Sequence, residues 1–233
     1  MTVPSRPLLL GHRGARATKS IPENTLASFD LCLQHGCNGF EFDVCATADG
    51  SLVVCHDETF HGNSVAGMSG KELAGWQSQG FLPSLEEVLA RFSAKYFLDI
   101  ELKVSGLEAA VLELLRRHPP GCGFVVTSFL PEVLRTLREL ESLIELGFLF
   151  ADGSCGSGAS SAEVLSRSLP VQWVLPEWHL LGEALVADLR AAGKRVGTWT
   201  VNDAADMKRL ASLGAEMLIS DETERLVNTF RVI

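Results

Sequence analysis

The sequence has no apolar run near the roughly 18 residues that would cross a bilayer. Its amino-terminal segment also lacks the apolar stretch and small-residue cleavage site of a secretory signal. Positive charge is scarce: 20 Lys and Arg residues stand against 29 Asp and Glu residues, for a net charge of −9. This balance disfavours nucleic-acid and anionic-membrane partners, because both require clustered basic side chains. We expect a cytoplasmic protein without stable membrane association, and the sequence does not indicate its oligomeric state.

The six cysteines lack the spacing of a metal or redox motif. They are scattered, include no Cys-x-x-Cys pair and lie mostly in apolar segments. This distribution is typical of reduced cysteines that act as packing residues, with a disulfide or zinc site as the minor alternative. Internal repeats and interdomain linkers are absent as well. Because 46% of the 233 residues are hydrophobic, the chain can bury one large core, and we predict a single domain over residues 1–233.

Apolar segments of strand length recur along the chain, and helical patterns separate them from the fourth segment onward. This alternation is typical of βα units around a parallel sheet. Together with the chain length, it predicts a TIM-type (β/α)8 barrel. The segments are 7–11, 39–44, 51–55, 96–102, 123–127, 144–150, 171–175, 195–200 and 216–220.

One of these nine segments is surplus to an eight-stranded barrel, and a hairpin explains it. Asp49-Gly50 lies between two strand-like runs, which is a strong signal for a two-residue hairpin turn. That turn would pair Asp43 with His56, whose Cβ atoms would then lie about 5 Å apart. The hairpin would begin a short rim insertion after the second strand, at about residues 57–83.

Helix starts are predicted where Ser or Asp precedes Glu by three residues, the spacing of a capping box or its Asp variant. The glycine- and serine-rich stretch at 151–161 is expected to form a mobile connector at the rim. The predicted capping pairs are Ser84 with Glu87, Ser105 with Glu108, Ser160 with Glu163 and Asp221 with Glu224.

Polar residues end several of the predicted strands, and the active site of a parallel barrel lies at the carboxyl ends of its strands. Side chains alternate along a strand, so the acidic residues of the second and fourth strands should share one face, opposite their Phe, Ile and Leu neighbours. The ionisable residues that this argument brings together are His12, Arg13, Glu41, Asp43, His56, Asp57, Asp99, Glu101 and Lys103.

Three of the carboxylates, those of Glu41, Asp43 and Glu101, predict a site for a hard cation. Oxygen ligands without a nearby cysteine or third histidine suit Mg²⁺ or Ca²⁺ better than Zn²⁺. Arg13 and Lys103 could donate charge-assisted hydrogen bonds to a phosphate. A buried salt-bridge network, in which these two basic residues neutralise the acids, is the alternative interpretation.

The two histidines, His12 and His56, extend the prediction to catalysis. A single histidine at a strand end is more often structural than catalytic. Two histidines beside a carboxylate cluster could divide general acid and general base work around a P–O bond.

The motifs of the chain resemble, in order and spacing, those of the glycerophosphodiester phosphodiesterase family. The resemblance covers nearly the whole chain and implies a TIM-type barrel that hydrolyses glycerophosphodiesters to glycerol 3-phosphate and an alcohol with a divalent cation. The motifs are GHRG (11–14), PENT (22–25), EFDV (41–44), VVCHD (53–57), IELK (100–103), TSF (127–129), TWTVND (198–203) and LISD (218–221).

The resemblance assigns roles at the matching positions. It implies that His12 and His56 form the acid/base pair and that Arg13 and Lys103 contact phosphate. It implies a metal site at Glu41, Asp43 and Glu101. Gly11 and Gly14 would leave room for substrate to approach the backbone.

Other matching positions have less specific roles. We expect the main role of Glu23 and Asn24 of PENT to be the start of the first helix, with hydrogen bonding to residues of the site as a secondary role. Trp199 would form an apolar wall against the glycerol carbons, with core packing as the alternative. Trp178 and His179 would lie at the rim.

Two other classes of function stay open at this point. A phospholipase C or D type barrel would cleave lipid phosphodiesters and give a cyclic phosphate. A non-catalytic barrel would only bind its ligand. The compact insertion contains a single lysine, Lys71, and no amphipathic membrane helix, so we expect a small, water-soluble substrate.

Overall fold

The computed structural model of the chain describes residues 6–151 and 168–231. Eight parallel strands close into a barrel in the order β1-β2-β6-β7-β8-β9-β10-β11, with β11 pairing back to β1. This confirms the predicted TIM-type barrel. The barrel strands are β1 (Leu8–His12), β2 (Gly39–Ala46), β6 (Phe97–Leu102), β7 (Phe124–Ser128), β8 (Leu146–Phe150), β9 (Trp173–Pro176), β10 (Arg195–Thr198) and β11 (Met217–Ser220).

Helices surround the barrel, and three short strands belong to the segment after β2. The short strands are β3 (Leu52–Val54), β4 (Thr59–Phe60) and β5 (Asn63–Ser64). The described α-helices are α1 (Leu26–His35), α2 (Gly70–Gln77), α3 (Leu85–Phe92), α4 (Glu108–Arg117), α5 (Pro131–Leu140), α6 (Glu183–Ala191), α7 (Ala204–Leu213) and α8 (Thr223–Thr229). Within the described ranges, no helix combines the length and apolar character that crossing a membrane requires.

The alternation of side chains along β2 and β6 creates two different environments. Phe40, Phe42 and Ile100 face outward and are buried in the large core between strands and helices. A smaller apolar cluster, which includes Leu10 and Trp173, fills the inside of the barrel. The acidic residues of β2 and β6 lie on the inward face, as predicted, so the strands that form the core also bring carboxylates into the barrel.

The predicted hairpin is present, but its register is shifted by one residue. Val44 pairs with Val54, and the amide of Cys55 donates to the carbonyl of Asp43. The amide of Thr47 donates to the carbonyl of Ser51, so the turn has three residues (48–50) rather than two. Gly50 takes a left-handed conformation in it, with φ of 81°. The prediction that Asp43 stands opposite His56 is therefore wrong, since the extra turn residue makes Cys55 its partner.

The helix starts were predicted with mixed success. Ser84 and Glu87 form a complete capping box at the start of α3. The cap predicted at Ser105 is wrong, because α4 begins after Leu107 and Glu108 instead accepts from the amide of Gly106. The pair Ser160 and Glu163 and the connector at 152–161 lie outside the described residues.

The predicted packing role of the cysteines fits Cys32, Cys37 and Cys55, which are buried, but not the exposed Cys122. Five of them, Cys32, Cys37, Cys45, Cys55 and Cys122, are free thiols, and three of these are buried. Cys155 lies outside the described residues.

Candidate active site

A cavity of about 220 Å³ opens at the carboxyl ends of the strands. Seven of the eight predicted site residues line it, and the eighth, Asp43, lies directly behind them. The seven are His12, Arg13, Glu41, His56, Glu101, Lys103 and Trp199.

The acidic cluster consists of Glu41, Asp43 and Glu101, each of which offers an oxygen within 4.8 Å of the others. The register of the parallel strands causes this proximity, because Asp43 of β2 pairs with Glu101 of β6. All three residues are buried. Burial and the charge of Asp43 raise the pKa of Glu41 well above its usual value, and they raise the pKa of Glu101 to about 7.

This cluster fits a hard divalent cation. Glu41 Oε1 and Asp43 Oδ1 are buried and have no hydrogen-bond partner among the described residues, although Lys103 Nζ lies 3.5 Å from Asp43 Oδ1. Buried carboxylate oxygens are costly without a partner, and a cation would supply one. The donor atoms of the cluster are all oxygens, which suits Mg²⁺ or Ca²⁺.

Two basic side chains balance part of this negative charge. Lys103 Nζ lies 2.8 Å from Glu101 Oε1, and Arg13 Nε lies 3.3 Å from Asp43 Oδ2. Burial alone would lower the pKa of Lys103, but the neighbouring carboxylates of Glu101 and Asp43 more than offset it, so the pKa is raised. Both cations are therefore charged at neutral pH. The main-chain amide of Arg13 also donates to Glu41 Oε2 at 3.0 Å and orients that carboxylate.

His12 is held by a carboxylate from the far end of the sequence. Its Nδ1 lies 2.7 Å from Asp221 Oδ1, and burial of both side chains excludes most solvent from this contact. Burial alone would raise the pKa of Asp221, but the hydrogen bond from His12 and the other nearby donors lower it by more. The net effect is a lowered pKa, so the carboxylate is ionised. An ionised carboxylate only accepts, so Nδ1 carries the proton.

The other ring nitrogen of His12 is consequently the one available for chemistry. Nε2 lies 3.9 Å from Glu41 Oε2, on the side of the cavity. Burial lowers the pKa of His12 and the hydrogen bond from its ring to Asp221 offsets part of that effect. The ring is therefore largely neutral at neutral pH, with a free lone pair on Nε2.

His56 has a similar partner in a wetter setting. Its Nδ1 lies 2.7 Å from Oδ1 of the neighbouring Asp57, whose side chain is 74% exposed. The hydrogen bond from His56 lowers the pKa of Asp57. The two histidines thus line the same cavity, and in each of them Nδ1 contacts a carboxylate. The His12 contact is buried, whereas the His56 contact lies near solvent.

The predicted role of Asp221 was wrong. It does not cap α8, which begins after Glu222 without a side-chain cap. Its oxygens instead accept from Arg16 and from Asn202 Nδ2, in addition to the His12 contact. The sequence signal that could have revealed this role is the position of Asp221 at the end of a barrel strand.

Two residues of the PENT segment, Glu23 and Asn24, contact the site, and a third residue starts the helix. Thr25 caps α1, since its side chain accepts from the amide of Ser28. Glu23 binds Arg13 Nη1 at 2.7 Å, and Asn24 Nδ2 donates to Asp43 Oδ2 at 2.9 Å. The expectation that Glu23 and Asn24 primarily start the helix is therefore wrong.

The glycines of GHRG serve packing rather than substrate access. A Cβ on Gly11 would lie 2.5 Å from Cys32 Sγ of α1, and one on Gly14 would lie 2.4 Å from Ser28 Oγ. Gly14 also has a φ of 84°, which favours glycine. The turn that presents His12 and Arg13 is therefore pressed against α1, and the expectation that it leaves room for substrate is wrong.

The apolar side of the cavity is formed by aromatic and aliphatic side chains. The rings of Phe129 and Trp199 meet edge to face with centroids 5.4 Å apart. The indole Nε1 donates to the carbonyl of Leu175, which fixes the ring. Phe129, which sequence reasoning did not single out, also lies 6.0 Å from Lys103 Nζ. Trp178 and His179 form a short 3-10 turn after β9 and do not line this cavity.

Comparison with known proteins places this geometry in a family. The chain is 29% identical to a glycerophosphodiester phosphodiesterase of Caldanaerobacter subterraneus, over 97% of this chain and 98% of that protein. A phosphodiesterase of Oleispira antarctica, solved with the product sn-glycerol-3-phosphate, superposes with a TM-score of 0.81 at 26% identity, over 96% of each chain. A putative glycerophosphoryl diester phosphodiesterase of Silicibacter pomeroyi gives a TM-score of 0.83 at 26% identity, over 97% of this chain and 94% of the other.

The family model described as the glycerophosphoryl diester phosphodiesterase family matches residues 12–225. That range begins at His12 and contains every carboxylate of the acidic cluster. The chain therefore belongs to the glycerophosphoryl diester phosphodiesterase family and is a phosphoric diester hydrolase.

Proposed function

We propose that this enzyme hydrolyses small glycerophosphodiesters to glycerol 3-phosphate and an alcohol, with a divalent cation bound by Glu41, Asp43 and Glu101. The observation that carries the proposal is one cavity in which two histidines face a cluster of three buried carboxylates. When bound, Mg²⁺ or Ca²⁺ would polarise the phosphoryl oxygens and neutralise developing charge. The relation to named glycerophosphodiester phosphodiesterases supports the substrate class.

His12 and His56 divide the proton transfers. One imidazole takes a proton from the attacking oxygen, and the other delivers a proton to the leaving alkoxide. Asp221 holds His12 with Nε2 toward the cavity, so that nitrogen exchanges the proton. Burial keeps this imidazole largely neutral before the reaction, and Asp221 stabilises it once it is charged.

Arg13, Lys103 and Trp199 bind the substrate. The two cations lie on the cavity wall and would contact the phosphate, with Glu23 keeping the guanidinium of Arg13 in place. The ring of Trp199 lines the same cavity and would pack against the glycerol carbons.

The proposed substrates are water-soluble diesters rather than lipids. The rim insertion folds into small elements, β4, β5 and α2, that enclose an apolar cluster of their own. It presents no amphipathic helix with a basic face, which membrane-surface binding usually needs. We therefore infer that the enzyme acts on free, water-soluble glycerophosphodiesters.

Product analysis tests this function. We expect ³¹P NMR of a reaction with glycerophosphocholine to show glycerol 3-phosphate without an accumulating cyclic phosphate, and His12→Ala to form it about 10²-fold or more slowly in the same assay. A lasting cyclic phosphate would instead favour a phospholipase-like reaction. Binding of the diester without any turnover would favour a non-catalytic barrel.

A further inference from the structure

A second cavity of about 380 Å³ adjoins the catalytic one and shares His56 with it. The PENT segment forms one side of this second cavity, and the rim insertion forms the other. Because His56 lines both cavities, a phosphodiester whose phosphate lies in the first can extend one of its two ester arms into the second.

Aromatic rings form the insertion's side of the second cavity. Phe60 and Phe81 line it with ring centroids 5.5 Å apart, and both are half-buried. His61 also lines it and is stacked on Trp76 at 5.0 Å, with the planes 14° apart. Trp76 in turn packs edge to face on Phe60 at 5.1 Å. The rings that face the cavity are thus supported from behind and hold their orientation.

Acidic side chains line the second cavity without Lys or Arg among the described lining residues. Its carboxylates are those of Glu23 and Asp57, and no Lys or Arg in the described part of the chain lines it. Glu23 is already paired with Arg13 and Arg16. The exposed Asp57 remains as a carboxylate at the mouth, where its partner is His56.

Aromatic faces beside a carboxylate are the surroundings that bind an alkylammonium group, whereas an anionic group would find no Lys or Arg among the described residues that line the cavity. We propose that the second cavity receives the leaving alcohol and that Phe60 and Phe81 select an alkylammonium alcohol of the choline or ethanolamine class. This inference rests on the proposed function, because it takes the phosphate to lie in the first cavity.

The test compares two substrates across matched variants. In the wild type, kcat/KM for glycerophosphocholine should exceed that for glycerophosphoglycerol, whose leaving alcohol is neutral. Phe60→Leu and Phe81→Leu keep an apolar side chain but remove the ring, and each should reduce this preference about three- to tenfold. Phe60→Tyr should retain it. Phe230→Leu, at the end of α8 and also half-buried, is the control that should not alter the preference.

Inhibition by glycerol 3-phosphate distinguishes this proposal from the alternative in which glycerol occupies the second cavity. Because the product would occupy only the first cavity, its inhibition constant should be the same in Phe60→Leu and wild type. An increase in that constant would place glycerol in the second cavity and overturn the proposal, as would an unchanged substrate preference in both leucine variants. If the wild type hydrolyses no glycerophosphodiester, the proposed function itself fails.

Discussion

Replacing Asp221 with Asn tests how the structure sets the protonation of His12. The carboxylate accepts a hydrogen bond from Nδ1–H at 2.7 Å and leaves the lone pair of Nε2 free to react. An Asn side chain of the same shape can present its amide N–H to Nδ1 instead. That contact would favour the opposite tautomer, with the proton on Nε2, which could then no longer accept one.

The size of the effect follows from the hydrogen bond that is lost. A hydrogen bond to a charged group contributes about 1.5–3 kcal/mol, and one pKa unit corresponds to about 1.4 kcal/mol. The side chains of His12 and Asp221 are only 14% and 16% exposed, so solvent screens the contact little. We expect Asp221→Asn to lower the pKa of His12 by about 1–2 units and kcat by about 10²-fold.

The assay is the pH profile of kcat/KM for glycerophosphocholine, read alongside Mg²⁺ affinity from calorimetry. The limb due to His12 should move to lower pH, whichever proton transfer this residue performs, while metal affinity stays close to wild type. Asp206→Asn removes a half-buried carboxylate of α7 that pairs with Arg209 away from the catalytic cavity, and it should leave the profile unchanged. A wild-type profile in Asp221→Asn would refute the reasoning.

Three further predictions concern the acidic and catalytic side chains. Glu41→Gln and Asp43→Asn should each weaken Mg²⁺ or Ca²⁺ binding in calorimetry at least tenfold, because each removes a ligand charge. His12→Ala and His56→Ala should lower kcat about 10²-fold or more with metal affinity largely intact. In metal-free protein, Asp99→Asn should increase stability at pH 9 by a few kcal/mol but have little effect near pH 4, as measured by urea unfolding.

The pH dependence of the last prediction follows from the buried carboxyl of Asp99, whose burial raises its pKa from 3.8 to about 8. Between these values the folded protein keeps a proton that the unfolded chain has released. This residue's contribution to stability is therefore fully present below about pH 4 and is lost as the pH rises through 8. The amide of Asn resembles the protonated acid and can still accept from Thr127, as Asp99 Oδ1 does at 2.6 Å. Equal pH dependence in both proteins would contradict this account.

Each of the other two predictions has its own contradicting result. Unchanged metal affinity in Glu41→Gln and Asp43→Asn would remove both residues from the metal site. The matched control for Glu41→Gln is Glu86→Gln, which changes an exposed residue of α3. Near wild-type kcat in either alanine variant would return that histidine to a structural role. His118→Ala, at the residue that follows α4, controls for loss of an imidazole.

The sequence was most informative where a strand repeats a simple pattern. The alternation along β2 and β6 predicted that Glu41, Asp43 and Glu101 share a face, and the parallel register then brings them together. Spacing could not predict the hairpin register, because one additional turn residue shifts every pair. The number of turn residues depends on the left-handed conformation of Gly50, which closes the turn.

The contacts that were missed join residues far apart in the chain. Asp221 lies 209 residues from His12, and only closure of the barrel between β11 and β1 makes them neighbours. Local sequence around Asp221 matched a helix cap, so the nearby pattern favoured the wrong interpretation. Glu23 was misjudged for a different reason: its partner Arg13 is only ten residues away, but the turn after β1, and not α1, fixes the position of Arg13.

The central claim is that the acidic cluster holds a cation that the reaction requires. Release of glycerol 3-phosphate from glycerophosphocholine should be measured with untreated enzyme, after EDTA treatment, and after Mg²⁺ or Ca²⁺ is added back. We predict that activity falls to background with the chelator and returns with one of the two ions. Full turnover in the presence of excess EDTA would contradict the account.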